Sequence, residues 1–395
     1  MKSIRLRDGK ERSLLRGHPW VFQGSIAKGG GDAGETVRIE AHDGKFLGWG
    51  AISPSSQIRV RAWSFDEAER IDEAFFERRL RRAIALRARL GLASDGQRLV
   101  HGEADGLPGL IVDRYGDTLS AQFLAAGVER WREAIASQLL AITGLQRLYE
   151  RSDSGVRGLE GLEPRSGWLR GDGATALTIT EHDMALGLDV ALGHKTGYYL
   201  DQRDNRHRFA QLVRQLGCQR VLNCYSYTGG FSVAALKGGA GHVTSVDSSG
   251  PALEQARENV RRNGFDDAAS CTFADADVNG FLREALKRGD RYDAIVLDPP
   301  KFAPSAAHAD RASRAYKDIN RLALKLLEPG GLLMTYSCSG GIGAELFHKI
   351  VAGAGHDAGV DGYLVERLEA SPDHPTTLCF PEGEYLKGLA IIVRA

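Results

Sequence analysis

Two short runs carry side chains suited to covalent chemistry on a flat ring. Tyr292–Phe302 reads YDAIVLDPPKF, an apolar stretch of strand length that delivers Asp298, Pro299, Pro300 and Lys301 together at its carboxyl end. The acid can exchange a proton there. The two prolines fix φ and remove backbone N–H groups, which leaves a stiff, flat loop for a planar base. Leu332–Gly341 reads LLMTYSCSGG, a second apolar run ending in Ser337, Cys338 and Ser339. A lone cysteine is most often a small buried hydrophobe. One presented at a strand end beside the Asp298 loop is placed for chemistry: its thiolate can add to carbon 6 of a cytosine and make carbon 5 nucleophilic. An unperturbed thiol, with a pKa of about 8.5, is mostly protonated near neutral pH, so positive charge from Lys301 or from the sulfonium of a methyl donor is expected to matter.

A third segment supplies a cofactor half-site. Val221–Val233 runs from a strand through Asn223, Cys224, Tyr225, Ser226, Tyr227, Thr228, Gly229 and Gly230 into a helix. Glycines at such a turn let a ligand approach the backbone, and a helix N-terminus favours an anionic group. The loop lacks G-x-G-x-x-G, so by itself it is equally a tight structural turn. Asp247 ends the following strand, where an acid accepts hydrogen bonds from ribose hydroxyls; its bland alternative is an N-cap for the helix near Pro251. Asp275 or Asp277 follows the next strand and can accept from an adenine amino group. A nicotinamide oxidoreductase fits poorly, given the missing glycine fingerprint and the acid-Pro-Pro loop.

These residues need a parallel sheet to bring them together. From about Ala185, strands and helices alternate: Arg220–Asn223, His242–Asp247, Tyr292–Asp298 and Leu332–Ser337 as strands, and Gly230–Lys237, Ala252–Asn263 and Asp318–Leu327 as helices. Alternation of this kind means βαβ units with ligands at the strands' carboxyl ends, a Rossmann-like α/β fold. Before it, residues 1–68 read as a small β-rich domain with strands at Glu35–Ala41 and Gln57–Trp63. Residues 69–185 read as a central α+β domain, which opens on a helix carrying Phe76, Leu80, Ile84 and Leu90 near one face. Its Gly155–Gly173 stretch reads as loop. Residues 186–395 form the third domain. Within Met1–Lys28, seven Lys or Arg stand against two acidic residues, interleaved with Trp20 and Phe22. That pattern suits RNA, or equally a solvated rim with Trp20 in the core.

The bulk numbers narrow the class. Lys plus Arg equals Asp plus Glu, 51 each, so any basic surface must come from local segregation. The five cysteines are scattered without a C-x-x-C pair, which predicts reduced thiols and no metal site. No leader pattern and no bilayer-length apolar run are visible, so a cytoplasmic protein without a membrane partner is expected.

HKTGYYLDQRDNR (His194–Arg206), NCYSYTGGFSVAAL, DPPKF, YSCSG and PEGEYLKG (Pro381–Gly388) together resemble the RlmI-like class I methyltransferases, over nearly the whole chain. The opening KERSLLRGHPWVFQGSI is similar to that family's PUA RNA-binding domain, and HGEADGLPGLIVDRYGD to its central domain. The resemblance implies an S-adenosylmethionine-dependent enzyme that forms 5-methylcytosine in 23S ribosomal RNA. It implies a donor held by Gln202, Arg206, Asn223, Tyr227, Thr228, Gly229, Gly230, Asp247, Asp277 and Asp298. It also implies Cys338 as nucleophile and Asp298 on the cytosine ring at N3, with Pro299, Pro300, Lys301 and Phe302 against the substrate. Many RNA cytosine methyltransferases carry a second cysteine in the acid-Pro-Pro loop, where this chain has Lys301, so the base that takes the carbon-5 proton is unassigned, with water a candidate. Two alternatives stay open: an RNA guanine methyltransferase, and a non-catalytic RNA-binding or ribosome assembly factor. Assembly as a homodimer is open as well.

Overall fold

A computed structural model of the chain describes residues 2–302 and 309–394. It divides into two units. One comprises Met1–Ile179, Leu188–Leu200 and Pro372–Glu384; the other comprises Thr180–Gly187, Asp201–Ser371 and Tyr385–Ala395.

The first unit holds two sheets. Six short strands, among them Thr36–Glu40, Phe46–Ile52 and Ile58–Ser64, form a mainly antiparallel sheet around Ile4, Val21, Val37, Ile39 and Val60. Five more, from Gly96–His101 to Arg165–Arg170, form the second sheet. The helix Glu73–Leu90 starts on an Asp72 cap and stops at Gly91, whose φ of 59° is the left-handed conformation that ends helices. Its apolar stripe of Phe76, Leu80 and Ala83 packs with Trp63 and Ala51 of the first sheet and with Leu119 and Ala121 of the second. Ala51 and Trp63 thus join the core of the second sheet, while the first sheet keeps a separate core of its own. The Gly155–Gly173 stretch, expected as loop, contains a helical turn at Val156–Leu159 and the strand Arg165–Arg170.

In the second unit seven strands make one sheet. They are labelled β1 (Arg220–Cys224), β2 (His242–Asp247), β3 (Cys271–Asp275), β4 (Tyr292–Leu297), β5 (Leu327–Ser337), β6 (Gly362–Leu368) and β7 (Lys387–Val393). Their order is β3-β2-β1-β4-β5-β7-β6. The first five are parallel, and β7 runs antiparallel to both neighbours. Ala294–Leu297 of β4 and Leu332–Met334 of β5 are continuous apolar runs because both faces of a parallel sheet are covered. The order reverses between β1 and β4, the crevice where such sheets bind ligands. The register aligns the ends there: Cys224 lies beside Val246 and Leu297, and Leu297 beside Thr335. One face packs Leu222, Ile295, Leu297 and Leu333 against Tyr316, Ile319 and Phe347.

Candidate active site

Past β1 the chain turns sharply. Tyr225 and Tyr227 take φ of 58° and 47°, a conformation that is an outlier for bulky residues and marks a held, strained loop. Asp247 holds it: one carboxylate oxygen accepts the Tyr227 N–H at 2.8 Å, and the other accepts the Ser249 N–H at 3.0 Å. The helix Gly250–Arg262 is capped by Ser249, not by Asp247. Gly229, at φ 77°, begins the next helix, and a Cβ there would lie 2.8 Å from the Ala256 Cβ, so the two helices meet at a position only glycine fits. Asn259 reaches back to donate to the Thr228 carbonyl at 2.9 Å and accepts from the Gly187 N–H at 2.7 Å. Beneath the loop, Asn223 donates to Ser232, which shares a hydrogen bond with Ser245. Asp277 is exposed and caps the helix Val278–Arg288 through the Gly280 N–H at 2.8 Å.

Several buried polar atoms in the segments around these strand ends have no hydrogen-bond partner among the described residues: Gln202 Nε2, Ser226 Oγ, Thr228 Oγ1, Thr335 Oγ1 and the Tyr336 hydroxyl. Buried polar groups are almost always paired, so these atoms are open to a further partner. Gln202 is held for this, since its Oε1 accepts from Asn205 at 2.6 Å. Burial, and then the nearby Asp298 carboxylate, push the Tyr336 hydroxyl well above its ordinary range, so it stays a proton donor. Arg206 is buried, with Nε and Nη2 donating to Glu181 at 2.7 and 2.5 Å. Two sides of its fork thus serve an ion pair.

The acid-Pro-Pro loop and the β5 terminus are bound to each other. Ser339 Oγ accepts the Phe302 N–H at 3.1 Å and shares a hydrogen bond of 2.9 Å with the Tyr316 hydroxyl. The Phe302 ring lies 4.8 Å from that of Tyr316. Between the buried Ser337 and Ser339, Cys338 is half-buried, and its Sγ stands 3.9 Å from the Pro299 carbonyl. Pro299 is buried, Asp298 half-buried, and Pro300 and Lys301 are exposed. A further cation lies nearby. Lys387, at the start of β7 opposite Ser337, is only 8% exposed and donates to the Ser339 carbonyl at 2.9 Å. Its signal was the PEGEYLKG string; the spacing gave none. The structure thus gathers Asn223, Tyr227, Thr228, Gly229, Gly230 and Asp247 around one loop, and Asp298 to Phe302 with Cys338 around the next. Asp277 sits on a helix cap beyond β3.

A family model described as S-adenosylmethionine-dependent methyltransferase matches residues 161–386, and one described as PUA-like domain matches residues 4–65. The ribosomal RNA large subunit methyltransferase I of Klebsiella pneumoniae is 50% identical over 390 residues, covering 98% of this chain and 96% of the relative. That of Escherichia coli O139:H28 is 48% identical, covering 98% of both. A Streptococcus mutans structure described as a SAM-dependent methyltransferase shares the fold at 22% identity, with a TM-score of 0.85 over 99% of this chain and all of that one. A second methyltransferase structure, complexed with SAH, does so with a TM-score of 0.86 at the same identity and coverage. With a family model over more than half its length and relatives about half identical along nearly all of it, the chain belongs to the S-adenosylmethionine-dependent methyltransferases, beside the ribosomal RNA large subunit methyltransferase I proteins.

Proposed function

We propose that the chain methylates carbon 5 of a cytosine in large-subunit ribosomal RNA, with Cys338 as a covalent nucleophile. The observation that carries this reading is the half-buried Cys338 thiol, 3.9 Å from the Pro299 carbonyl in loops joined through Ser339. A guanine methyltransferase has no use for a thiol there. The names of the relatives, at about half identity, support ribosomal RNA as the substrate class.

The unpaired donors fit the cofactor. Gln202 Nε2, Ser226 Oγ, Thr228 Oγ1 and the Tyr336 hydroxyl match a molecule carrying a carboxylate and ribose hydroxyls, and Asp247 stands at the ribose position of such sheets. S-adenosylmethionine, when bound, supplies an electrophilic methyl group. The protein prepares the ring that takes it. The Cys338 thiolate forms a bond to carbon 6, and the C5–C6 π electrons become available at carbon 5 while Asp298 holds or protonates N3. After carbon 5 is methylated, its proton passes to a base, with water as the candidate. The freed electron pair restores the C5–C6 double bond and expels the thiolate, and N3 returns any proton it took to Asp298. Lys387, buried one residue from Cys338 along the β5 terminus, provides positive charge that favours the thiolate. The reacting face of a paired cytosine is hidden, so the target is an unpaired or flipped nucleotide.

Cys338→Ala tests the reading. RNA from a strain lacking the protein is methylated with labelled donor, digested to nucleosides and analysed by mass. Wild type yields 5-methylcytidine and the variant yields none, while calorimetry shows S-adenosylmethionine still bound. Undiminished 5-methylcytidine from the variant removes the covalent route, and methylguanosine from wild type removes the cytosine target.

A further inference from the structure

The basic and aromatic pattern of Met1–Lys28 suits an RNA face and a solvated rim equally, and Trp20 is engaged within its own unit. Its Nε1–H donates to Glu103 at 2.8 Å, and its ring packs edge-on against Phe380 with centroids 4.8 Å apart. A better-formed basic and aromatic site lies within the same unit, along the helix Glu73–Leu90. There a cleft of about 530 Å³ is lined by Phe65, Arg82, Leu86, Arg89, Glu103 and Asp105, among others. Its size is that of a small-ligand pocket.

Charge decides what the cleft can take. Both carboxylates in it are already satisfied: Asp105 accepts from Arg87 at 2.6 Å and from the His101 N–H, and Glu103 accepts from Trp20 and lies 3.8 Å from Arg61. Arg82 and Arg89 are exposed, and neither has an ion-pair partner among the described residues, whereas Arg78, Arg79 and Arg81 on the same helix are paired with Glu69 or Glu77. Arg82, Leu86 and Arg89 follow i, i+4, i+7 spacing and share one face, with about 10 Å of rise between the two guanidinium stems. Phe65 is 43% exposed, a large ring left to solvent beside unpaired cations. A chain of zero net charge has concentrated surplus positive charge and an aromatic platform in one concavity.

We infer that this cleft is an accessory RNA site, which holds an unpaired stretch of the substrate away from the target nucleotide, with a base on Phe65 and phosphates on Arg82 and Arg89. The inference rests on the reading of RNA as substrate. Arginine pairs phosphate bidentately, and stacking on a ring tolerates any base, so the site contributes affinity and register with little sequence discrimination.

The test is binding of a fluorescein-labelled 12-nucleotide oligouridylate to the full chain, measured by anisotropy from 50 to 400 mM salt. Removing two phosphate contacts with single-stranded RNA lowers the slope of log K against log salt by about 1.4, which corresponds to about 25-fold weaker binding at 0.1 M salt. Arg82→Ser with Arg89→Ser should show both changes. Phe65→Ala should weaken binding about tenfold at every salt concentration and leave the slope unchanged. Arg81→Ser, on the same helix with its guanidinium on Glu77, is the control and should bind as wild type. All four positions are on the surface, and unchanged S-adenosylmethionine binding by calorimetry checks that each variant is folded. Wild-type affinity and slope in the double variant would overturn the inference, including the case where the cleft docks a protein. Because oligouridylate binding involves no turnover, that outcome is separate from failure to form 5-methylcytidine, which would overturn the catalytic reading alone.

Discussion

Glu181 and Arg206 form a buried ion pair in the methyltransferase unit, with side-chain exposures of 0% and 3% and two hydrogen bonds between them. Glu181→Gln keeps the volume and one acceptor but removes the carboxylate that the buried guanidinium bonds twice. Breaking a buried pair in this way costs about 3–5 kcal/mol, mostly as the penalty of the stranded charge. For a unit of this size a urea m-value of about 2–3 kcal/mol/M translates the loss into a midpoint lower by about 1–2 M. The exposed pair Lys349–Glu345, at 71% and 83% exposure, is the internal comparison. Glu345→Gln should move the midpoint by no more than the few tenths of a kcal/mol that surface i,i+4 pairs contribute. A double replacement, Glu181→Leu with Arg206→Met, removes both charges and should recover most of the lost stability. That double variant also separates two roles for Arg206. If the guanidinium only braces the fold, stability and S-adenosylmethionine affinity return together. If it also holds the donor's carboxylate, as the family resemblance implies, stability returns while calorimetry shows donor affinity still reduced at least tenfold. A Glu181→Gln midpoint equal to wild type would refute the reasoning, since it would mean that the charge is not stranded.

Two further outcomes follow from the thiols and the cation near them. Lys387→Met removes the buried positive charge one residue from Cys338, so alkylation of that thiol by iodoacetamide at pH 7.5 should slow about tenfold, with Lys387→Arg retaining most of the rate. An unchanged rate in the methionine variant would assign Lys387 to loop anchoring alone. Burial raises the Cys218 thiol from 9.0 to about 11 and the Cys271 thiol to about 12. A folded-state value above the unfolded one stabilises the fold fully below the unfolded value, and this contribution is lost as pH rises through the folded values. Urea midpoints should hold to about pH 9 and then fall toward pH 12, less steeply in Cys218→Ala with Cys271→Ala, and parallel curves would dismiss the thiols as the cause.

Much of the fold was legible because local and global signals agree in the parallel sheet. Ala294–Leu297 of β4 and Leu332–Met334 of β5 are apolar runs with acid, proline or glycine beside them, and a strand buried on both faces needs that composition. The strand Arg165–Arg170 was missed for the opposite reason. Glycines at 161, 167, 171 and 173 read as turns, and what makes it a strand is pairing with Arg147–Ser152 and the contact of Trp168 with Tyr149 at 5.2 Å. Trp20 shows the same limit, since its carboxylate partner lies 83 residues away in sequence.

The candidate site divides along the same line. Residues whose proposed role depends on standing at a strand end, such as Asp247, Asp298 and Cys338, are named by spacing, because a parallel sheet turns sequence order into adjacency at one edge. Residues that act by reaching across are not. Asn259 holds the Thr228 carbonyl from 31 positions away, and Lys387 holds Ser339 from 48. Each sits inside an ordinary helix or strand pattern, and only the fold turns its polar tip toward the loop. The strain at Tyr225 and Tyr227 belongs with them, because a φ above zero on tyrosine is maintained by the neighbours that hold it, here the Asp247 carboxylate on the Tyr227 N–H. Spacing therefore names the groups that would react, while the bonds that fix their positions come from residues whose local pattern has no reason to reveal them.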